Sequence, residues 1–243
     1  VDDAGRPAFY AARRGGWRDW WTLLHPPYTA WHLSYVVIGA SLAPHVAVGR
    51  LVAAVAAFFL AVGVAAHALD ELHGRPLRTA IPAGALVAAT VVSLAGAVAL
   101  GVAGVVKVGA ALVPFIVLGP ILVVAYNAEL FGGVVHTDAG FAGAWGAFPV
   151  LTAYVAESGT LRLAPVLAAV GAFALSWAQR SLSTPARQLR RSTRAVEGSL
   201  TLADGTVRPI TAESLLVPLE KALRATSWAV VTLATALALA RLT

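Results

Sequence analysis

The chain lacks cysteine altogether and is poor in charge. With no Cys among 243 residues, disulfides and thiolate chemistry are excluded. Any metal site must therefore draw on His, Asp, Glu, Asn or backbone oxygen. Charged residues make up 12% of the chain, about half the share of an ordinary globular domain. There is no internal repeat and no low-complexity tract. Residues 1–24 are polar and aromatic rather than a short apolar run, so no cleavable signal peptide is expected.

What is present in quantity is apolar surface. Hydrophobic residues account for 58% of the chain, too many for a soluble domain to cover with polar groups. Bilayer is the expected solvent. The formal charge of +6 is not read as a nucleic-acid signature, because the cations flank apolar runs, where they set membrane orientation.

A helix needs about twenty apolar residues to cross a bilayer. The runs that qualify are 28–45, 51–69, 79–101, 108–126, 139–156, 163–180 and 225–242, which predicts an all-α, polytopic transmembrane helical bundle of about seven spans. Residues 1–24 form an interfacial segment, with Trp17, Trp20 and Trp21 beside Arg13, Arg14 and Arg18. Residues 25–180 form a core of six membrane helices. Residues 181–224 are expected as a cytoplasmic loop, with a hairpin turning at Asp204-Gly205 and an amphipathic helix over 212–224, capped by Thr211, on the membrane surface. Residues 225–243 form a last membrane helix. Of the 18 Lys and Arg residues only Arg50, Lys107, Arg162 and Arg241 fall on the second side. A cell-membrane protein with its N-terminus in the cytoplasm and its C-terminus outside is therefore expected.

The residues able to do chemistry gather at the cytoplasmic helix ends. His25 and His32 open the first span, seven residues apart. The second closes with His67, Asp70, Glu71 and His73. The fourth closes with Tyr126, Asn127 and Glu129, and His136 and Asp138 precede the fifth. Arg180, at the end of the sixth, leads to Arg187, Arg190 and Arg191. Polar groups in or just below membrane helices are costly and face a cavity or a partner.

Trp21-Thr22-Leu23-Leu24-His25-Pro26, His67 to Ile81 with Arg75-Pro76-Leu77, and Tyr126 to Glu157 together resemble the UbiA family of intramembrane prenyltransferases over roughly residues 18–185. The resemblance implies a UbiA-like bundle acting on an isoprenoid or lipid diphosphate at a cytoplasm-facing cavity, with Mg²⁺ as cofactor. On this basis Asp70, Glu71 and Tyr126 are the expected catalytic residues. Arg75, Arg78, Asn127, Arg180 and Arg187 would hold substrate, and Asp70 and Glu71 would hold Mg²⁺ with Glu129 and Asp138 in reserve. The chain departs from the family in four ways. Its first acidic motif is compressed, the stretch after the sixth span has no carboxylate, Glu129 stands where a basic residue is expected after Tyr126, and there are fewer spans.

Two other readings use the same residues. Imidazole favours transition metals over Mg²⁺, so His67, Asp70, Glu71, His73, Glu129, His136 and Asp138 could serve a His/carboxylate metal-dependent membrane enzyme. Alternatively, the chain is a non-catalytic isoprenoid- or lipid-binding subunit with membrane-protein partners.

Overall fold

The computed structural model describes residues 6–243. Outside a two-stranded hairpin, the regular structure is helical. A short α1 (Trp17–Leu23) leads into α2 (Pro26–Ser41). Five long helices follow: α3 (Val48–Leu72), α4 (Ala83–Val108), α5 (Ala110–Asn127), α6 (Asp138–Ser158) and α7 (Leu163–Arg191). After α7 come β1 (Ser199–Thr201), β2 (Val207–Pro209) and α8 (Ala212–Leu242). Six helices among the described residues, α3 to α8, are long and apolar enough to cross a membrane. Val92, Val106, Leu163, Val170, Trp228 and Leu233 are exposed on them, the exterior expected of helices solvated by lipid.

The expected first span is a departure. It is a helix of 16 residues, about 24 Å long against a hydrocarbon layer of about 30 Å. It spends its apolar surface on protein instead of lipid. Trp31, Tyr35, Val36 and Ala40 are buried along it, and α2 packs lengthwise between α6 and α8. A Cβ on Gly39 would overlap the Val150 carbonyl. Its absence lets the α2 and α6 backbones approach closely.

Two more boundaries move. Residues 181–191 and 212–224, expected as loop and as a surface helix, are continuous with their spans. On α7 the buried positions Ala169, Ala172, Ser176, Gln179, Ser183 and Ala186 keep a three-to-four spacing beyond 180. On α8 Glu220, Leu223, Ser227, Val230 and Ala234 do the same across 224. One packed seam carries each helix through its proline, Pro185 or Pro218, at a cost the burial offsets. The two seams meet where Arg190 clasps both carboxylate oxygens of Glu220.

The hairpin forms as expected, with Ser199 opposite Pro209. The Thr206 N–H donates to the Asp204 carboxylate at 2.9 Å, which holds that carboxyl below its usual range. Thr211 and Ser214 close a reciprocal cap on α8.

The ends of the bundle differ. One, the basic face, carries residues 6–25, the ends of α3, α5 and α7, and the start of α8. The opposite face is tied by Glu157, which accepts from the Ala47 N–H at 2.9 Å and faces Arg50 at 3.4 Å. Arg241 closes it further by donating to the Ser41 carbonyl.

Two helices widen to π geometry, α3 over Phe59–Ala66 and α6 over Gly143–Ala147. These stretches meet. Val62, Ala65 and Ala66 from one and Ala144 and Trp145 from the other pack with Val123 and Tyr126 into a single cluster. Such bulges are rare and recur at functional sites.

Candidate functional site

On the basic-face side of that cluster lies a buried group of rings and charges. His67, at the end of the α3 bulge, donates Nδ1–H to the Gly63 carbonyl at 3.0 Å. Its ring stacks on His25, with centroids 4.2 Å apart and planes at 8°. The Tyr10 hydroxyl meets His25 Nδ1 at 2.7 Å. His32 donates Nδ1–H to the Trp145 carbonyl at 2.9 Å, and His136 does the same to the Tyr126 carbonyl at 2.9 Å. A carbonyl can only accept, so these bonds fix the tautomer of His32, His67 and His136 and leave each Nε2 as the lone-pair nitrogen when the ring is neutral.

His25 does not sit on a helix. It caps α2 in left-handed conformation, φ 47°, and Pro26 and Pro27 start the helix behind it. Burial first, and then the neighbouring His67, hold the His25 imidazole well below its ordinary range. Burial and Tyr28 push the Tyr10 hydroxyl upward. Arg187 and Asp70 both act on Tyr10 and Tyr126, and Asp70 acts on Arg187 and His67. The ends of α3, α5 and α7 and the segment preceding α2 thus share one electrostatic neighbourhood.

Three groups in this neighbourhood lack partners. His25 Nε2 and the Tyr126 hydroxyl are buried with no hydrogen bond. Asp70 is half-buried and makes no hydrogen bond or ion pair. Arg187 bonds only its own helix, at the Thr184 hydroxyl. Buried polar atoms are nearly always satisfied, so these unsatisfied ones mark the basic-face helix ends as the candidate site.

The other expected site residues divide by what they touch. Glu71 is fully buried and accepts from the Leu77 N–H at 2.9 Å, the Thr79 N–H at 2.8 Å and the Thr79 hydroxyl at 2.9 Å. It holds the 73–81 loop in place and has no oxygen left over for a metal. Arg75, at φ 54°, donates to the Ile81 carbonyl in that same loop. Asn127 is buried and bonds the Val123 carbonyl of its own helix. His73 and Arg78 are exposed and take no part in the cluster. Glu129 is exposed and 3.9 Å from His136, whose ring stacks on Tyr126 at 4.4 Å. Asp138 is bound by Arg180 at 3.0 Å. No three His, Asp or Glu side chains among the described residues come together as a metal-holding set.

Comparison with protein-family models, curated proteins and solved structures finds no match to this chain.

Sequence reasoning did not reach Tyr10 and Tyr28. Tyr10 arrives because residues 6–12 are strapped across the basic face. Arg191 donates to the Pro7 carbonyl at 3.1 Å, and the Ala12 N–H donates to the Thr22 hydroxyl at 3.0 Å. Asp19 tethers the next turn by accepting from the Gly15 N–H at 3.1 Å and the Ala80 N–H at 3.0 Å. The Tyr-x-x-x-Arg pattern of an interfacial segment carries no local sign of this. The one available signal was Asp19, a lone acid in a strongly basic stretch.

An apolar cavity lies elsewhere. An apolar slot of about 660 Å³ runs between α3, α4, α5 and α6 and opens toward the opposite face at Arg50 and Lys107. The π-bulge cluster, through Val62, Val123 and Trp145, stands between it and the polar group.

Proposed function

We propose that this chain is a UbiA-like membrane protein that takes up an isoprenoid or lipid diphosphate at its basic face and transfers the prenyl group. The observation that carries the reading is the uncommitted set at the ends of α3, α5 and α7. Asp70 makes no hydrogen bond or ion pair, Arg187 bonds only the Thr184 hydroxyl of its own helix, and the Tyr126 hydroxyl and His25 Nε2 are orphaned. Charge bias puts this face in the cytoplasm. Guanidinium groups suit diphosphate oxygens, so Arg187, backed by Arg180, holds the leaving group. Mg²⁺ is held by as few as one protein carboxylate when phosphate oxygens complete its shell. Asp70 alone satisfies that requirement, and the ion would neutralise charge on the departing diphosphate. In the transfer, the allylic C–O bond breaks with its electron pair leaving on diphosphate. An acceptor nucleophile then bonds to the allylic carbon and gives up its proton. The rings of Tyr10, Tyr28 and Tyr126 are suited to face the intervening cation.

The test is to supply purified protein with prenyl diphosphates of several chain lengths and Mg²⁺ and to measure pyrophosphate. The expected result is release that disappears in Asp70→Asn and falls in Arg187→Gln. No release at any length would remove the transferase reading. One observation favours a second reading, a non-catalytic isoprenoid- or lipid-diphosphate-binding subunit: Glu71 is held by its loop, and among the described residues no larger ligand set assembles. Binding of a prenyl diphosphate without turnover would select it.

A further inference from the structure

The slot on the other side of the π-bulge cluster has its own chemistry. Its walls are built from small residues, including Ala53 and Ala57 on α3 and Ala97, Gly101 and Gly104 on α4. Val62, Val123 and Trp145 close the inner end. Arg50 and Lys107 stand at the mouth. Arg50 is partly met by Glu157 at 3.4 Å, whereas Lys107 is exposed and makes no hydrogen bond or ion pair.

Arg50 to Val62 spans about 18 Å of helix, a little more than the roughly 15 Å half-thickness of a bilayer's hydrocarbon. The apolar lining over that length suits a hydrocarbon chain. Its mouth is cationic, and cations at a membrane surface attract anionic lipid heads.

We infer that this slot binds a single-chain anionic lipid from the leaflet opposite the polar cluster, with the chain between α3, α4 and α5 and the head at Lys107 and Arg50. The site goes beyond the transferase reading and does not depend on it, because the Val62–Val123–Trp145 wall separates the two.

The experiment uses the full chain in detergent and lysophosphatidylglycerol with a brominated acyl chain, which quenches nearby tryptophan. The expected result is saturable quenching whose main component is lost in Trp145→Phe. Ala57→Phe, which fills the slot, should abolish binding. Lys107→Gln should weaken it about fivefold, and the matching monoacylglycerol with a neutral head should bind equally weakly. Brominated oleate in parallel separates a carboxylate head from a phosphate one; saturable binding of either at the slot supports the site. Melting and circular dichroism check that Ala57→Phe is folded, and if it is not, Ala97→Leu replaces it. Quenching unchanged in a folded slot-filled variant overturns the inference. So does weakening by Arg187→Gln in place of Lys107→Gln, which would mean entry from the basic face. So does a slot-filled variant that keeps its lipid but loses self-association in light scattering, which would mean that a second copy occupies the groove. Lys107→Gln leaves pyrophosphate release unchanged, so failure here and failure of the transferase reading are distinguishable.

Discussion

Asp70 and Glu71 are adjacent acids with opposite tasks, and substitution separates them. Glu71 is fully buried and receives three donors from the 77–79 loop. In Glu71→Ala those donors lose their acceptor inside the protein. Each buried unsatisfied group costs about 1–3 kcal/mol, so the substitution should cost roughly 3–6 kcal/mol after partial relaxation. Glu71→Gln keeps one acceptor oxygen but turns an N–H toward another N–H, for a loss of about half that. Asp70 makes no hydrogen bond or ion pair, so Asp70→Asn should stay within about 0.5 kcal/mol of the parent while abolishing pyrophosphate release. The assay pairs unfolding in mixed micelles with turnover on the same samples. The reasoning is refuted if Glu71→Gln unfolds like the parent yet is inactive, since Glu71 would then serve chemistry and not the loop. It is refuted equally if Asp70→Asn is the unstable variant.

Other outcomes follow from the same packing. The folded pKa of His25 lies below its unfolded value near 6.5, so the unfolded chain binds more protons in acid. Stability should be fully present above about pH 6.5 and decline as pH falls through that value toward the folded pKa. Melting points between pH 5 and 8 should show this slope, and His25→Gln should make it shallower. Arg190 and Glu220 are both nearly buried and joined by two charged hydrogen bonds. Glu220→Ala removes both and should lower stability by about 1.5–3 kcal/mol, with α8 near residue 220 becoming the first site of proteolysis. Gly39→Leu should prevent close packing of α2 on α6, because even a Cβ there overlaps the Val150 carbonyl. A loss of about 3 kcal/mol or outright misfolding is expected, read as loss of a monodisperse peak in detergent.

Much of this architecture is written locally. Long apolar runs mark α3 to α8, Asp204-Gly205 marks the hairpin, and Thr211 marks the start of α8, because each depends on residues within a few positions. What stayed hidden depends on partners distant in sequence. Nothing around Pro218 tells a reader that Glu220 will be clasped by Arg190 and the helix carried through. Nothing within Pro26–Ser41 distinguishes a lipid-facing span from one enclosed by α6 and α8. The polar helix ends on one face were legible from topology. The separation of Glu71 from Asp70 was not, because it depends on where the loop amides of Leu77 and Thr79 come to rest. Tyr10 was invisible for a related reason: its position is set by a strap held down by Arg191, 184 residues away from Pro7.

The enclosure of α2 has a consequence for biogenesis. A ribosome releases Trp31 and Tyr35 before α6 and α8, the helices that cover them, are made. Until Ala212–Leu242 emerges, this short segment has no permanent neighbour and is poorly matched to the lipid around it. Truncating the chain before residue 212 should therefore destabilise α2, and quality control acting on such intermediates would read the missing α8 through its uncovered partner.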